Sequence, residues 1–146
     1  MRIYFAAPLF TTAERMFNAA LAARLREAGH EVFLPQDQET HANNPEQSFR
    51  IDLGHLDRSN VVLGIMDGSD PDSGTAWEVG YAYAMKRPIV LLRTDMRVST
   101  DTGAPYNQML TESATERFEL AFPSVQEAAE AVLGALGRLG ASAPRP

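Results

Sequence analysis

With 146 residues, 45% of them hydrophobic and 22% charged, the chain has the length and composition of one globular domain that can bury a core. A formal net charge of -6 leaves no basic footprint for a nucleic-acid polymer, and there is neither an apolar run of membrane-spanning length nor a secretory leader pattern. The absence of cysteine excludes disulfides, thiolate metal sites and cysteine nucleophiles, so the expectation is a cytoplasmic protein that handles small molecules.

Arg2 to Ala7 reads as a first strand, ended by Pro8. Thr11 and Glu14 form a capping box, and the helix behind it keeps Phe17, Ala20, Leu21, Leu25 and Ala28 near one face until Gly29 stops it. His30 to Pro35 reads as a second strand, followed by a polar loop from Gln36 to Glu46. A helix is predicted over Ser48 to Ser59, then a third strand over Asn60 to Met66 whose continuous apolar run suits burial on both faces. A loop from Asp67 to Ser73 leads into a helix over Gly74 to Lys86 and a fourth strand over Pro88 to Arg93. A second long polar loop precedes a short helix in "NQMLTESA" and a short strand in "RFEL". Ser124 and Glu127 form another capping box, opening a last helix with Val125, Ala128, Ala129, Val132 and Leu136 in one stripe; residues 139–146 read as a loose tail.

Strands alternating with helices imply right-handed βαβ units. The expected fold is a three-layer α/β sandwich around a mainly parallel five-stranded sheet, as a single domain over residues 1–146. In such sheets ligands sit beyond the carboxyl ends of the strands, where all the polar loops gather.

Two carboxylates stand out on that edge. The inward face of the second helix reads Phe49, Asp52, Leu53, Leu56, so an aspartate interrupts an apolar stripe. Glu78 interrupts another, between Trp77 and Val79, where burial without partners costs several kcal/mol. The plain alternatives are a misplaced boundary for Asp52 and favourable helix-dipole placement for either acid. Taken together, two carboxylates suit glycosidic-bond chemistry: one attacks or stabilises the anomeric carbon, the other handles a proton. Tyr4, in mid-strand, has the reach to orient one of them, although a core tyrosine bonded elsewhere is the commoner arrangement. "DSGTAWE" is no phosphate-loop or dinucleotide motif, yet its small residues, Gly74 among them, lead into a helix that would accept an anion. His30, His41 and His55 lack metal-ligand spacing. The cluster Asp67, Asp70 and Asp72 lacks the EF-hand pattern and reads as a solvated loop, so no metal or cofactor is expected.

"IYFAAPLF", "DLGHLDRSNVVLGIMDG", "DSGTAWEVGYAYAMKRPIVLL" and, more weakly, "YNQML" resemble, in order, the nucleoside 2-deoxyribosyltransferases. The resemblance runs from Arg2 to about Leu110. It implies a flavodoxin-like sheet, assembly into dimers or larger homo-oligomers with shared active sites, and exchange of the base of a 2′-deoxynucleoside for a free nucleobase through a covalent deoxyribosyl-glutamate. Carried over, it makes Glu78 the nucleophile, Asp52 the acid/base and Tyr4 the residue that orients the nucleophile. Asp72 and Gly74 then belong to the substrate-binding segment, and Asn107 and Met109 reach into a neighbouring subunit's site. "AAPLF" lacks the phosphate loop of the related deoxynucleotide hydrolases, and Asp72 would repel a 5′-phosphate, so nucleosides are favoured over nucleotides. The alternatives are an N-glycoside hydrolase of deoxynucleosides or their 5′-monophosphates, and a non-catalytic binder of nucleotide-like signals.

Overall fold

The computed structural model describes residues 1–38, 44–97 and 103–142. Five strands, β1 (Arg2–Ala6), β2 (Glu31–Phe33), β3 (Val61–Ile65), β4 (Ile89–Arg93) and β5 (Glu116–Glu119), form one all-parallel sheet in the order β2-β1-β3-β4-β5. Between them run helices α1 (Thr12–Glu27), α2 (Pro45–Arg58), α3 (Ser73–Ala84) and α4 (Gln108–Thr111), and α5 (Val125–Ser142) closes the fold. This is the expected flavodoxin-like α/β sandwich. Its order reverses at β1, so the switch-point crevice opens between the ends of β1 and β3.

The pleat of β1 sorts the core into two layers. Ile3 and Phe5 face one side with Leu21 and Leu25 of α1 and Val132 and Leu136 of α5. Tyr4 and Ala6 face the other with Leu56 of α2 and Val79 and Ala82 of α3. Gly64 lets α3 approach β3, because a Cβ there would stand 2.8 Å from Leu91 Cδ2 and 3.2 Å from Val79 Cγ2.

Thr11 caps α1 as expected: its Oγ1 accepts from Glu14 N at 3.2 Å, and Glu14 Oε2 accepts from Thr11 N at 2.7 Å. Gly29, at φ 87, ends that helix in the left-handed conformation a side chain would strain. The inward arc of α1 differs from the expected stripe. Ala20 and Ala28 are exposed, and Asn18, Leu21, Ala22 and Leu25 are buried instead. Asn18 tolerates burial because its Nδ2 donates to Pro8 O at 2.9 Å and Gln36 Oε1 at 3.2 Å.

Three boundaries shift. α2 starts at Pro45, earlier than expected, because Asn44 caps it by accepting from Gln47 N and proline suits the first helical turn. α3 starts at Ser73 rather than Gly74 because Asp72 caps it. The supposed tail from Leu139 stays helical to Ser142, since Leu139 packs against the α1–α5 core. The middles of both long polar loops, including His41, and the last four residues lie outside the described residues.

Candidate active site

Tyr4 and Glu78 meet across the switch point. Tyr4 is fully buried in β1, and its Oη donates to Glu78 Oε1 at 2.5 Å, joining residues 74 apart in sequence. Behind it, Phe33 of β2 stacks on the Tyr4 ring at 5.4 Å and His55 of α2 stacks on Phe33 at 3.8 Å, so the phenol is held from the rear. Glu78 occupies the second turn of α3. Burial pushes its carboxyl up to about 7 from 4.5, the charges of Asp52 and Asp72 push the same way, and only the Tyr4 hydrogen bond opposes them. Burial and the same carboxylate hold the Tyr4 phenol far above its ordinary value, so it remains a protonated donor.

Asp52 enters from the facing helix α2, and its charge acts on both Glu78 and Tyr4. The three polar side chains share a cavity of about 350 Å³, walled by Phe49, Leu53 and Leu56 of α2 and by Gly74 and Trp77 of α3. That volume lies at the small end of ligand pockets, the size for one compact molecule. The two inward acids of the sequence thus converge, with Tyr4 as their third member.

Asp72 does more than line a loop. It is the N-cap of α3, its Oδ2 accepting from Thr75 N at 2.9 Å and from Thr75 Oγ1 at 3.1 Å. Gly74 leaves space for that carboxylate, since a Cβ would stand 3.1 Å from Asp72 Oδ2. Asp67, expected in a solvated loop, is also engaged: it accepts from Thr94 N at 2.6 Å and Thr94 Oγ1 at 2.5 Å. Arg93, only 2% exposed, donates to Met66 O and Gly68 O and pairs with Asp95 at 2.8 Å, and Asp95 accepts from Gly68 N. These bonds lock the segment that delivers α3 and Glu78 onto the end of β4. Pattern reading missed this anchor; the one signal for it was an arginine ending an otherwise apolar strand.

Asn107 and Met109 fall elsewhere. Asn107 caps α4 by accepting from Met109 N at 2.9 Å, and Met109, 77% exposed, lines a separate hollow of about 380 Å³ beside Ala76, Gly80 and Tyr83 of α3. Within one chain neither joins the carboxylates. No group of three or more metal-ligating side chains occurs among the described residues, and none of their helices is long and apolar enough to cross a membrane.

The buried glutamate has a consequence for stability. Its folded value lies above its unfolded one, so between pH 4.5 and about 7 the folded state binds more protons, and stability falls as pH rises through that window. The rise corresponds to about 3 kcal/mol. Glu78→Gln is therefore expected to melt above the wild type at pH 8, with the gap closing below pH 4.5. Thermal unfolding at both pH values checks it, and equal melting at pH 8 would show an unstrained carboxylate.

A doubly wound parallel sheet with a desolvated carboxylate, a second acid and a phenol at its switch point defines a flavodoxin-like α/β protein with an acidic small-molecule site. The model of the nucleoside 2-deoxyribosyltransferases matches residues 3–109, and the chain belongs to that family. The family consists of glycosyl-transferring enzymes that act on nucleosides and nucleobases. Among solved structures, the chain is similar to the 2-deoxyribosyltransferase of Bacillus psychrosaccharolyticus, with 27% identity and a TM-score of 0.71, over 93% of this chain and 96% of that one. It is also similar to the 2-deoxyribosyltransferase of Leishmania mexicana, at 20% identity and a TM-score of 0.67, over 90% and 95% of the two chains. A third likeness is to the CMP N-glycosidase of Clostridium botulinum, at 19% identity and a TM-score of 0.65, over 92% and 99%. The last two carry the fold alone. No curated protein matches the sequence.

Proposed function

We propose that this protein transfers the 2-deoxyribosyl group between nucleobases through a covalent ester on Glu78. One carboxylate oxygen attacks the anomeric carbon as the bond to the base nitrogen breaks, and the electron pair leaves with the base. Asp52 gives that base its proton, then takes one from the incoming base, whose nitrogen attacks the same carbon and releases Glu78. The observation that carries this reading is the 2.5 Å bond from Tyr4 to Glu78 Oε1. It fixes the carboxylate with its other oxygen available for attack, in a cavity that also admits Asp52.

The test is to incubate the protein with deoxyinosine and adenine and look for deoxyadenosine. Its appearance supports transfer. Hypoxanthine and free deoxyribose without deoxyadenosine would make water the acceptor, the chemistry of an N-glycosidase. No reaction here, with deoxyinosine 5′-monophosphate equally inert, would leave a binding protein.

Under this reading Asp72, beside Gly74 at the cavity edge, binds a sugar hydroxyl and disfavours a 5′-phosphate by like charge, at a cost of several kcal/mol where water is partly excluded. Asp72→Ser is expected to narrow the kcat/KM gap between deoxyadenosine and its 5′-monophosphate, while serine still caps α3. Paired kinetics at fixed pH and ionic strength measure it; an unchanged gap would remove Asp72 from substrate selection. Asn107 and Met109, exposed and outside the cavity that holds the carboxylates, are proposed to complete the site of a neighbouring subunit in a homo-oligomer.

A further inference from the structure

The mouth of the cavity carries a feature that the chemistry of Tyr4, Asp52 and Glu78 does not use. Phe49 and Trp77 line it and are 53% and 50% exposed, whereas Tyr4 at its floor is fully buried. They do not hang loose. The Trp77 indole stacks on Tyr81 at 5.4 Å and 15°, and Tyr81 Oη donates to Asp57 Oδ1 at 2.8 Å, which pins the stack to α2. Phe49 meets the indole edge-on at 5.9 Å and 63°. Large aromatic faces held in place at an open rim form a ready platform for a flat ligand.

Their position says which part of the ligand. Phe49 lies one helical turn before Asp52, and Trp77 directly precedes Glu78. With the sugar carbon against Glu78 and Tyr4, the leaving group must point towards Asp52, and therefore towards this rim. Among the described residues of one chain the cavity wall offers no amide, hydroxyl or cationic side chain beyond Tyr4 and the two acids, so the broad surface this chain presents to a base is aromatic. We infer that Trp77 and Phe49 are the specificity-determining residues of this site, holding the nucleobase by stacking and favouring purines over pyrimidines by the area of their π face. The inference rests on the proposed glycosyl transfer for its orientation of the ligand. Stacking is tolerant of base identity because every base has a π face, so adenine and hypoxanthine should be treated alike.

Trp77 is the single tryptophan of the chain, so it reports on its own site. Free adenine or hypoxanthine, which have no bond to break, should quench its fluorescence saturably in the wild-type protein, and cytosine or uracil should do so only at higher concentration. In kinetics, Trp77→Ala should raise KM for deoxyadenosine about tenfold or more, with a smaller change for deoxycytidine, so that the purine preference collapses. Trp77→Phe should restore most of the loss. Phe49→Ala, which keeps the reporter, should weaken the adenine quench. An absent adenine quench, or an unchanged ratio of purine to pyrimidine KM in a folded Trp77→Ala protein, overturns the inference. The two readings fail separately: a purine-selective quench without any glycosyl transfer keeps the base platform and removes the chemistry, whereas transfer without a quench does the reverse.

Discussion

Glu78→Ala is expected to lose deoxyribosyl transfer by on the order of 10⁴-fold or more, because it removes the carboxylate that Tyr4 holds in place for attack on carbon and leaves Asp52 to its work on the base. A slow 2-fluoro-deoxynucleoside should leave a sugar adduct on the wild-type protein, visible by intact mass, and none on Glu78→Ala. The adduct should map to the peptide containing Glu78. The pH profile offers a second readout. Attack requires the carboxylate, and burial lifts Glu78 to about 7, so kcat/KM should climb as pH rises towards and through that value. An adduct that persists in Glu78→Ala would move the nucleophile elsewhere.

Such a carboxylate is costly to fold around, and that cost is what made it legible. Glu78 and Asp52 each broke an apolar helix face, and both prove to turn into the one cavity that pairs them. The parallel sheet with helices on both faces followed from alternating strands and helices, whereas the order β2-β1-β3-β4-β5 is not contained in the alternation. Helix starts were readable where a capping box stood, at Thr11 and at Ser124, whose Oγ accepts from Glu127 N at 3.2 Å. They were missed where a single side chain did the capping: Asn44 before Pro45 and Asp72 before Ser73. Local pattern could not supply the contacts that close across the sheet. The partner of Tyr4 lies 74 residues away, the hold of Arg93 on Gly68 spans 25, and nothing periodic marks either. The same limit applies to Asn107 and Met109. Their suggested role depends on a second copy of the chain; within one copy Asn107 caps α4 and Met109 lines a different hollow.

Asp52→Asn should slow transfer from deoxyadenosine by about 10² to 10⁴-fold, the usual contribution of a positioned general acid. The substitution preserves shape and removes the proton. Its signature is selectivity for the leaving group. A 7-methylated purine deoxynucleoside already carries positive charge on the base, so its bond breaks without protonation. Release of that base in a single turnover should therefore run at nearly the wild-type rate in Asp52→Asn while remaining abolished in Glu78→Ala. A second readout comes from electrostatics alone. The Asp52 charge is one of the influences that raise Glu78, so its removal lowers the Glu78 value, and the rising limb of the pH profile should move to lower pH. Equal slowing of both substrates, with the limb unmoved, would reduce Asp52 to a wall of the pocket and leave the proton to be delivered by water or by another subunit.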